Sequence, residues 1–136
     1  MENQTEKNEI KKVATATVLN KIVPVEVIRP YSEEQINAHA AKCGGRRNLR
    51  EISVITDDLE EFVYLVKKPS RNVLQAIAEE NEKKDKKNIT TIQNLMLGCV
   101  LEGDKEAYQH DGSIYTDLLK QMSHLVKTKR SEIKKI

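Results

Sequence analysis

The side chains best suited to chemistry belong to two cysteines and a histidine: Cys43, Cys99 and His39. His39 and Cys43 are four positions apart, so on a helix they share one face and could hold a metal ion. A structural zinc site needs four ligands, however, and Cys99 lies far along the chain. The sequence therefore predicts no metal site. Two isolated thiols outside any Cys-x-x-Cys pair are typical of a reducing compartment.

Cys99 is also a candidate nucleophile. A nucleophilic cysteine needs a nearby base or cation that lowers its pKa, but its neighbours in sequence, Met96, Val100 and Leu101, are apolar. Free cysteine is commonly a buried core residue, which is the interpretation we prefer here.

Several carboxylates in the C-terminal half surround two glycines: Glu102, Asp104, Glu106 and Asp111. An EF-hand loop needs oxygen ligands at fixed positions and a bidentate glutamate at the twelfth, and this segment lacks that spacing. The chain also has no phosphate-binding glycine loop, dinucleotide fingerprint or Gly-x-Ser-x-Gly elbow. We therefore expect no enzymatic activity and no cofactor.

Basic residues form two groups, one at residues 67–71 and one at the C-terminus: Lys67, Lys68, Arg71, then Lys127, Lys129, Arg130, Lys134 and Lys135. Nucleic-acid binding favours a concentrated basic face with interleaved aromatic residues, but neither group contains an aromatic residue and the net charge is only +2. Helix-end cations on a solvated face explain these groups better, so nucleic acid is a disfavoured partner.

The elements that must position these residues begin with a polar N-terminus. Residues 1–12 have no apolar period and are predicted to be a disordered or extended arm. Residues 13–30 form a β-prone extension in which valines recur at every second position, at Val23, Val25 and Val27. Pro24 removes one backbone donor, so we expect an edge strand or an extended arm.

A helix should follow from Ser32 to Cys43, because Ser32 and Gln35 form a capping-box pattern and two glycines end the segment. Residues 49–56 and 61–67 read as a β-hairpin. Its second strand is apolar on both faces, which predicts that both faces are covered.

Three further helices are predicted. The first begins at Ser70, the second runs from Asn88 through Cys99 and Val100 to Gly103, and a polar connection at residues 104–112 leads to the last. The last helix has the clearest apolar stripe: Ile114, Leu118, Met122 and Leu125, flanked by Tyr115, Leu119 and Val126. We therefore predict an α+β fold with a small β-hairpin or sheet, optionally extended by an N-terminal edge strand, packed on a bundle of about four helices. Residues 13–136 would form one domain.

The C-terminal two thirds resemble a family of small proteins from tailed phages and prophages. The likeness covers about residues 49–136 and follows the string FVYLVKKPSR, a helix, NLMLGCVLEGD and a final apolar helix. Its marks are the helix start at Pro69, Ser70 and Arg71 and the run at residues 99–104. Members are encoded among virion morphogenesis genes and are often described as tail-assembly-chaperone-like.

This resemblance implies an assembly protein that binds other phage structural proteins, self-associates, and acts in the cytoplasm of the bacterial host or enters the virion. We expect no membrane partner, because no apolar run is long enough to span a bilayer. The candidate protein-binding residues lie in the N-terminal edge strand and on the last helix: Val23, Val25, Val27, Tyr115, Leu119, Met122 and Val126. Packing of both surfaces in the protein's own core is the competing interpretation.

Two alternative functions stay open at this point. One is a structural virion protein incorporated through its N-terminal arm, since residues 1–30 depart from the family pattern. The other is a nucleic-acid-binding regulator that uses the basic C-terminus, for which binding should depend steeply on salt.

Overall fold

The chain folds as a mixed α+β protein, seen in a computed structural model that describes residues 11–18, 21–83, 88–126 and 132–136. The five strands are β1 (Lys11–Val18), β2 (Lys21–Ile28), β3 (Leu49–Ile55), β4 (Glu60–Lys67) and β5 (Val100–Glu102). The α-helices are α1 (Glu33–Lys42), α2 (Arg71–Glu82), α3 (Ile89–Leu97), α4 (Lys105–His110) and α5 (Gly112–Val126). A 3-10 turn, Arg46–Asn48, links α1 to β3.

β4 is the centre of the sheet, whose order is β1-β2-β4-β3. One edge of β4 pairs with antiparallel β3 along almost its whole length. Its other edge is shared by two strands, since β2 runs parallel to residues 60–62 and β5 runs antiparallel to residues 65–66. β1 and β3 are therefore the two long outer strands, and the three-residue β5 also has only β4 beside it among the described strands.

Alternate residues of β4 face two separate cores, as the two-sided apolar pattern predicts. Phe62, Tyr64 and Val66 belong to a core formed with α2, α3 and α5. Val63 and Leu65 face the opposite way, into a smaller core formed with α1. The prediction that both faces of this strand are covered is confirmed, and so is the α+β class. The helices, however, lie on both faces of the sheet rather than in one bundle.

Helix starts follow the local capping signals. The Ser32 side chain accepts a hydrogen bond from the Gln35 backbone N–H, and the Gln35 side chain accepts one from the Ser32 N–H, which completes the predicted capping box. Ser70 and Asn88 cap α2 and α3 in the same way through the third residue beyond each.

The predicted helix ending at Gly103 is wrong in its last turn. α3 ends at Leu97, and the chain then turns so that β5 joins the sheet. The Lys67 backbone N–H donates to the Cys99 carbonyl at 2.9 Å, so pairing with β4 replaces the helical hydrogen bonds. The polar connection predicted at residues 104–112 also contains a helix, α4, which is capped by the Asp104 side chain.

The N-terminal prediction also needs correction. β1 begins at Lys11, inside the segment expected to be a disordered or extended arm, while residues 1–10 lie outside the described residues. Residues 13–18 and 21–28 belong to two antiparallel strands rather than one edge strand, and β2 lies between β1 and β4. Pro24 is tolerated there because β4 pairs only with residues 26–28 of β2, so the missing N–H removes no bond to β4.

Candidate protein-binding site

β1 and β2 form a two-stranded ribbon that projects from the edge of the sheet. All eight residues of β1 pair with β2, but only residues 26–28 of β2 pair with β4. We call β1 together with residues 21–25 the hairpin arm. Among the described strands, β1 has only β2 beside it, so the outer backbone edge of β1 is open for pairing.

One face of the hairpin arm is exposed and largely apolar. Paired residues of antiparallel strands point to the same face, so the register places four residues, Val13, Thr15, Ile22 and Pro24, on one face, where Glu26 lies opposite Val13. All four are exposed, with exposed fractions of 81% for Val13 and 77% for Ile22. We call these four residues the exposed arm face. Large apolar side chains left in water on a projecting element are typical of a protein-binding surface.

The three valines of the predicted edge strand lie on the opposite face of β2. Val25 is only 2% exposed, and Val23 and Val27 are half-buried, with Val27 packed against the α1 core. Val25 therefore offers a partner no accessible surface in this fold. The period-two pattern identified a strand correctly, but the alternating valines mark its inward face.

The last helix is committed to the protein's own core. Met122 is 2% exposed, and Leu119 and Val126 are half-buried against the same core. The Tyr115 hydroxyl donates to Gln93 Oε1 on α3 at 3.1 Å, so this side chain also makes an internal contact. The stripe on α5 packs within the chain, as the competing interpretation held, and Met122 has no surface to offer a partner.

A network of charged side chains joins the segment that directly follows β2 to β3. Arg29 Nε donates to Glu51 Oε2 at 2.7 Å, and the guanidinium lies 4.5 Å from the centre of the Tyr31 ring. The Tyr31 hydroxyl donates to the same carboxylate. Burial by itself would raise the pKa of Glu51, but the hydrogen bonds from Arg29 and Tyr31 outweigh it and the pKa is lowered.

A second ion pair extends the network along α1. Arg46 donates to Glu33 at 2.7 Å and to Asn37 at 2.8 Å. The hydrogen bond from Arg46 to Glu33 lowers the pKa of the Glu33 carboxyl. Between the two pairs is an open cavity of about 260 Å³, lined by Arg29, Glu33, Ile36, Arg46, Leu49, Arg50, Glu51 and Leu65. The guanidinium groups around this cavity already bond carboxylates or carbonyls, so the arrangement ties the segment after β2 to β3 and the 3-10 turn to α1.

This network was not predicted from the sequence. Its members are far apart along the chain, and the only signals were Arg29 just after β2 and the basic pair Arg46-Arg47. Which carboxylate each arginine meets is set by the pairing of β3 with β4, which spacing alone does not reveal.

The residues considered for metal or thiol chemistry are not brought together. His39 Nε2 lies 3.9 Å from Glu102 Oε1, whereas Cys43 lies at the end of α1. Cys99 is buried, and burial raises the pKa of its thiol, which disfavours the reactive thiolate. Within the described residues, no three His, Cys, Asp or Glu side chains cluster as metal ligands would. Nor does any described helix have the length and apolarity needed to cross a bilayer.

Comparison of the chain with protein-family models, with curated proteins and with solved structures finds no match in any of the three. The resemblance to tail-assembly-chaperone-like proteins therefore stays a prediction, and the arguments for function must come from the hairpin arm itself.

Proposed function

We propose that this chain is a bacteriophage or prophage assembly protein that binds other phage proteins, as a tail-assembly-chaperone-like factor without enzymatic activity. The observation that carries the proposal is the exposed arm face, which presents Val13 and Ile22 to solvent on an element outside both cores. An exposed apolar face that no described residue covers is most simply explained by a protein partner.

The shape of the arm suits a partner that is extended or incompletely folded. A chaperone of assembly must cover apolar segments of its client without a deep, fixed pocket, and a narrow β-ribbon can lie along such a segment. Pro24 and Thr15 give the face a flat centre between the two larger side chains. The cytoplasm of a bacterial host, before virion assembly is complete, is the compartment that this role requires.

The charge pattern supports a binding rather than a catalytic role. Arg29 and Arg46 each bond a carboxylate, and Cys99 is buried with a raised pKa, so these groups are used within the chain. Catalysis needs groups that are held free to meet a substrate.

Co-expression with a long tail protein from the same phage tests the proposal. The double variant Val13→Glu, Ile22→Glu should lose the partner in a pull-down, because two carboxylates would have to be desolvated on the arm face. Both side chains are exposed, but a glutamate at position 13 would lie opposite Glu26 on β2, so the variant Val13→Lys, Ile22→Lys, which avoids this like-charge pair, should lose the partner in the same way. Ile133→Glu is the matched control, since Ile133 is exposed outside the arm. Retention of the partner by the double variant, or no binding by the wild type, contradicts the proposal.

A structural virion protein is the second candidate, and the projecting arm also favours it because an arm can anchor a subunit in a larger assembly. Quantitative mass spectrometry of purified particles separates the two functions. A chaperone is expected to be absent from mature particles or present in traces, whereas a structural subunit is present in a fixed stoichiometry.

A further inference from the structure

We infer that two copies of this chain associate through their β1 strands, which pair antiparallel about a twofold axis at Thr15 and join the two hairpin arms into one four-stranded sheet. The structural basis is the outer edge of β1. It is eight residues long, it is uncovered by any described strand other than β2, and it lies on a ribbon that pairs with β4 only through residues 26–28 of β2.

The two outer strands of the sheet differ in how well they resist such pairing. Outer strands are commonly protected by charges, proline or burial. β3 has Arg50 and Glu51 near its start, and three of its residues, Leu49, Ile52 and Val54, are buried. β1 has lysines only at positions 11 and 12, followed by the uncharged run VATATV. β3 is thus protected, whereas no described strand other than β2 covers β1.

A second copy fits this edge because the strand is complementary to itself. A twofold axis perpendicular to the sheet keeps equivalent faces together, so residues of the same parity must oppose one another. An axis at Thr15 sets Val13 opposite Thr17, Thr15 opposite Thr15 and Lys12 opposite Val18. No lysine then opposes a lysine, whereas in-register parallel pairing would place like charges side by side.

Pairing also relieves the weakness of the isolated arm. A two-stranded ribbon in water is marginally stable, and three or more strands with one apolar face are much better supported. The twofold arrangement places the exposed arm faces of both copies on the same side, which doubles the apolar surface that includes Val13 and Ile22. Because a strand pair buries little area compared with a standard interface, we expect a weak dimer that dissociates on dilution.

The test uses the residue that meets its own copy on the axis. Sedimentation of the full chain between about 5 and about 500 µM should show a mass that rises from the 15.5 kDa of one copy toward that of two. Thr15→Lys and Thr15→Glu should each weaken dimerisation about tenfold or more, since like charges then oppose one another. An equimolar mixture of the two variants should dimerise again, because lysine now opposes glutamate.

The same substitutions at Thr116 provide the control. Thr116 is exposed on α5, far from β1 in the chain, so Thr116→Lys and Thr116→Glu should dimerise like the wild type. Melting curves check that each variant is folded. A wild type that stays monomeric at every concentration overturns the inference, as does dimerisation of either Thr15 variant at wild-type strength or a mixture that stays monomeric. The self-association needs no phage partner, so its failure leaves the pull-down of the proposed function to be judged on its own result.

Discussion

Substitution of Gly103 by alanine should destabilise this protein severely, because the residue lies against the most deeply buried aromatic ring. Gly103 follows β5 with φ at +134°, a backbone region that residues with a Cβ rarely occupy. A Cβ built there lies 2.3 Å from Tyr64 Cδ1 and 3.0 Å from Tyr64 Cε1. An alanine at this position would therefore suffer both backbone strain and a steric clash with the Tyr64 ring.

The ring cannot easily move away from the new methyl group. Tyr64 is 0% exposed in the centre of β4, and its hydroxyl donates to the Asp104 carbonyl at 2.7 Å. The centre of the Tyr108 ring lies 5.8 Å from the centre of the Tyr64 ring. Backbone strain costs about 1–3 kcal/mol and overpacking of a core about 1–3 kcal/mol more. We therefore expect Gly103→Ala to lower the free energy of unfolding by roughly 4 kcal/mol, a large part of a typical total.

Urea denaturation of Gly103→Ala beside Gly112→Ala measures this effect. Gly112 begins α5, and a Cβ there meets no atom within 4 Å, so the same substitution should change stability by less than about 1 kcal/mol. Tyr64→Val removes the ring, so in that background Gly103→Ala should cost about 1–3 kcal/mol less, a coupling that a double-mutant cycle detects. Wild-type stability of Gly103→Ala, or equal costs in both backgrounds, refutes the close-packing argument.

Three other predictions concern stability. Tyr64→Phe should cost about 1 kcal/mol in urea denaturation, because the half-buried Asp104 carbonyl loses its donor, and an unchanged midpoint would contradict this role. Leu59→Gly should stabilise by about 1 kcal/mol, since Leu59 adopts φ of +59°, whereas the same change at Leu74 within α2 should destabilise by a similar amount. Glu51→Gln should destabilise at pH 7, and its difference from wild type should shrink as pH falls below the usual carboxyl value of 4.5, because the folded pKa is lowered and the contribution is lost on protonation. A difference that does not change between pH 7 and pH 3.5 would show that the charge of Glu51 is not responsible.

Local signals in the sequence predict the structure correctly where the contacts join residues that are close together in the chain. The capping box at Ser32 and the cap at Ser70 are bonds between residues three positions apart, so they can be predicted without knowledge of the rest of the fold. The two-sided pattern of β4 is similarly direct, since a strand apolar on both faces must be covered on both.

Elements that depend on distant partners were missed. β5 is only three residues long, and its sequence continues the apolar run of α3, so nothing local separates strand from helix. It becomes a strand because β4 has a free edge beyond the end of β2. The sequence does not separate β1 from β2 for a related reason: β-branched residues recur through both strands, and only Asn20, a residue type common in turns, hints at a break.

In the candidate site, too, local sequence predicts the strand, whereas the orientation of its faces depends on residues distant in the chain. Alternation in β2 identified a strand, but which of its faces is buried depends on how β2 meets β4, and that pairing joins residues more than thirty positions apart in sequence. Val25 therefore proved to be buried, while Ile22 and Val13 on the other face remained exposed. A pattern of period two separates two faces but does not say which of them faces the core.

Leu59 adopts a left-handed backbone conformation in the turn between β3 and β4, and it links the stability of the fold to the hydrogen exchange of the arm. The Leu59 carbonyl accepts a hydrogen bond at 3.0 Å from the backbone N–H of Glu26, the first of the three residues by which β2 pairs with β4. A leucine at φ of +59° carries backbone strain that lowers stability. Its side chain also restricts the turn, however, and so keeps the Leu59 carbonyl pointed at the Glu26 N–H. Leu59→Gly should therefore raise global stability and at the same time speed amide hydrogen exchange in β2, because glycine lets the turn sample other conformations. Exchange in β3 and the middle of β4 should slow along with the higher global stability, so the two regions should respond in opposite directions. If exchange slows both in β2 and in the core, Leu59 affects stability only through its backbone strain and does not help to hold β2 against β4.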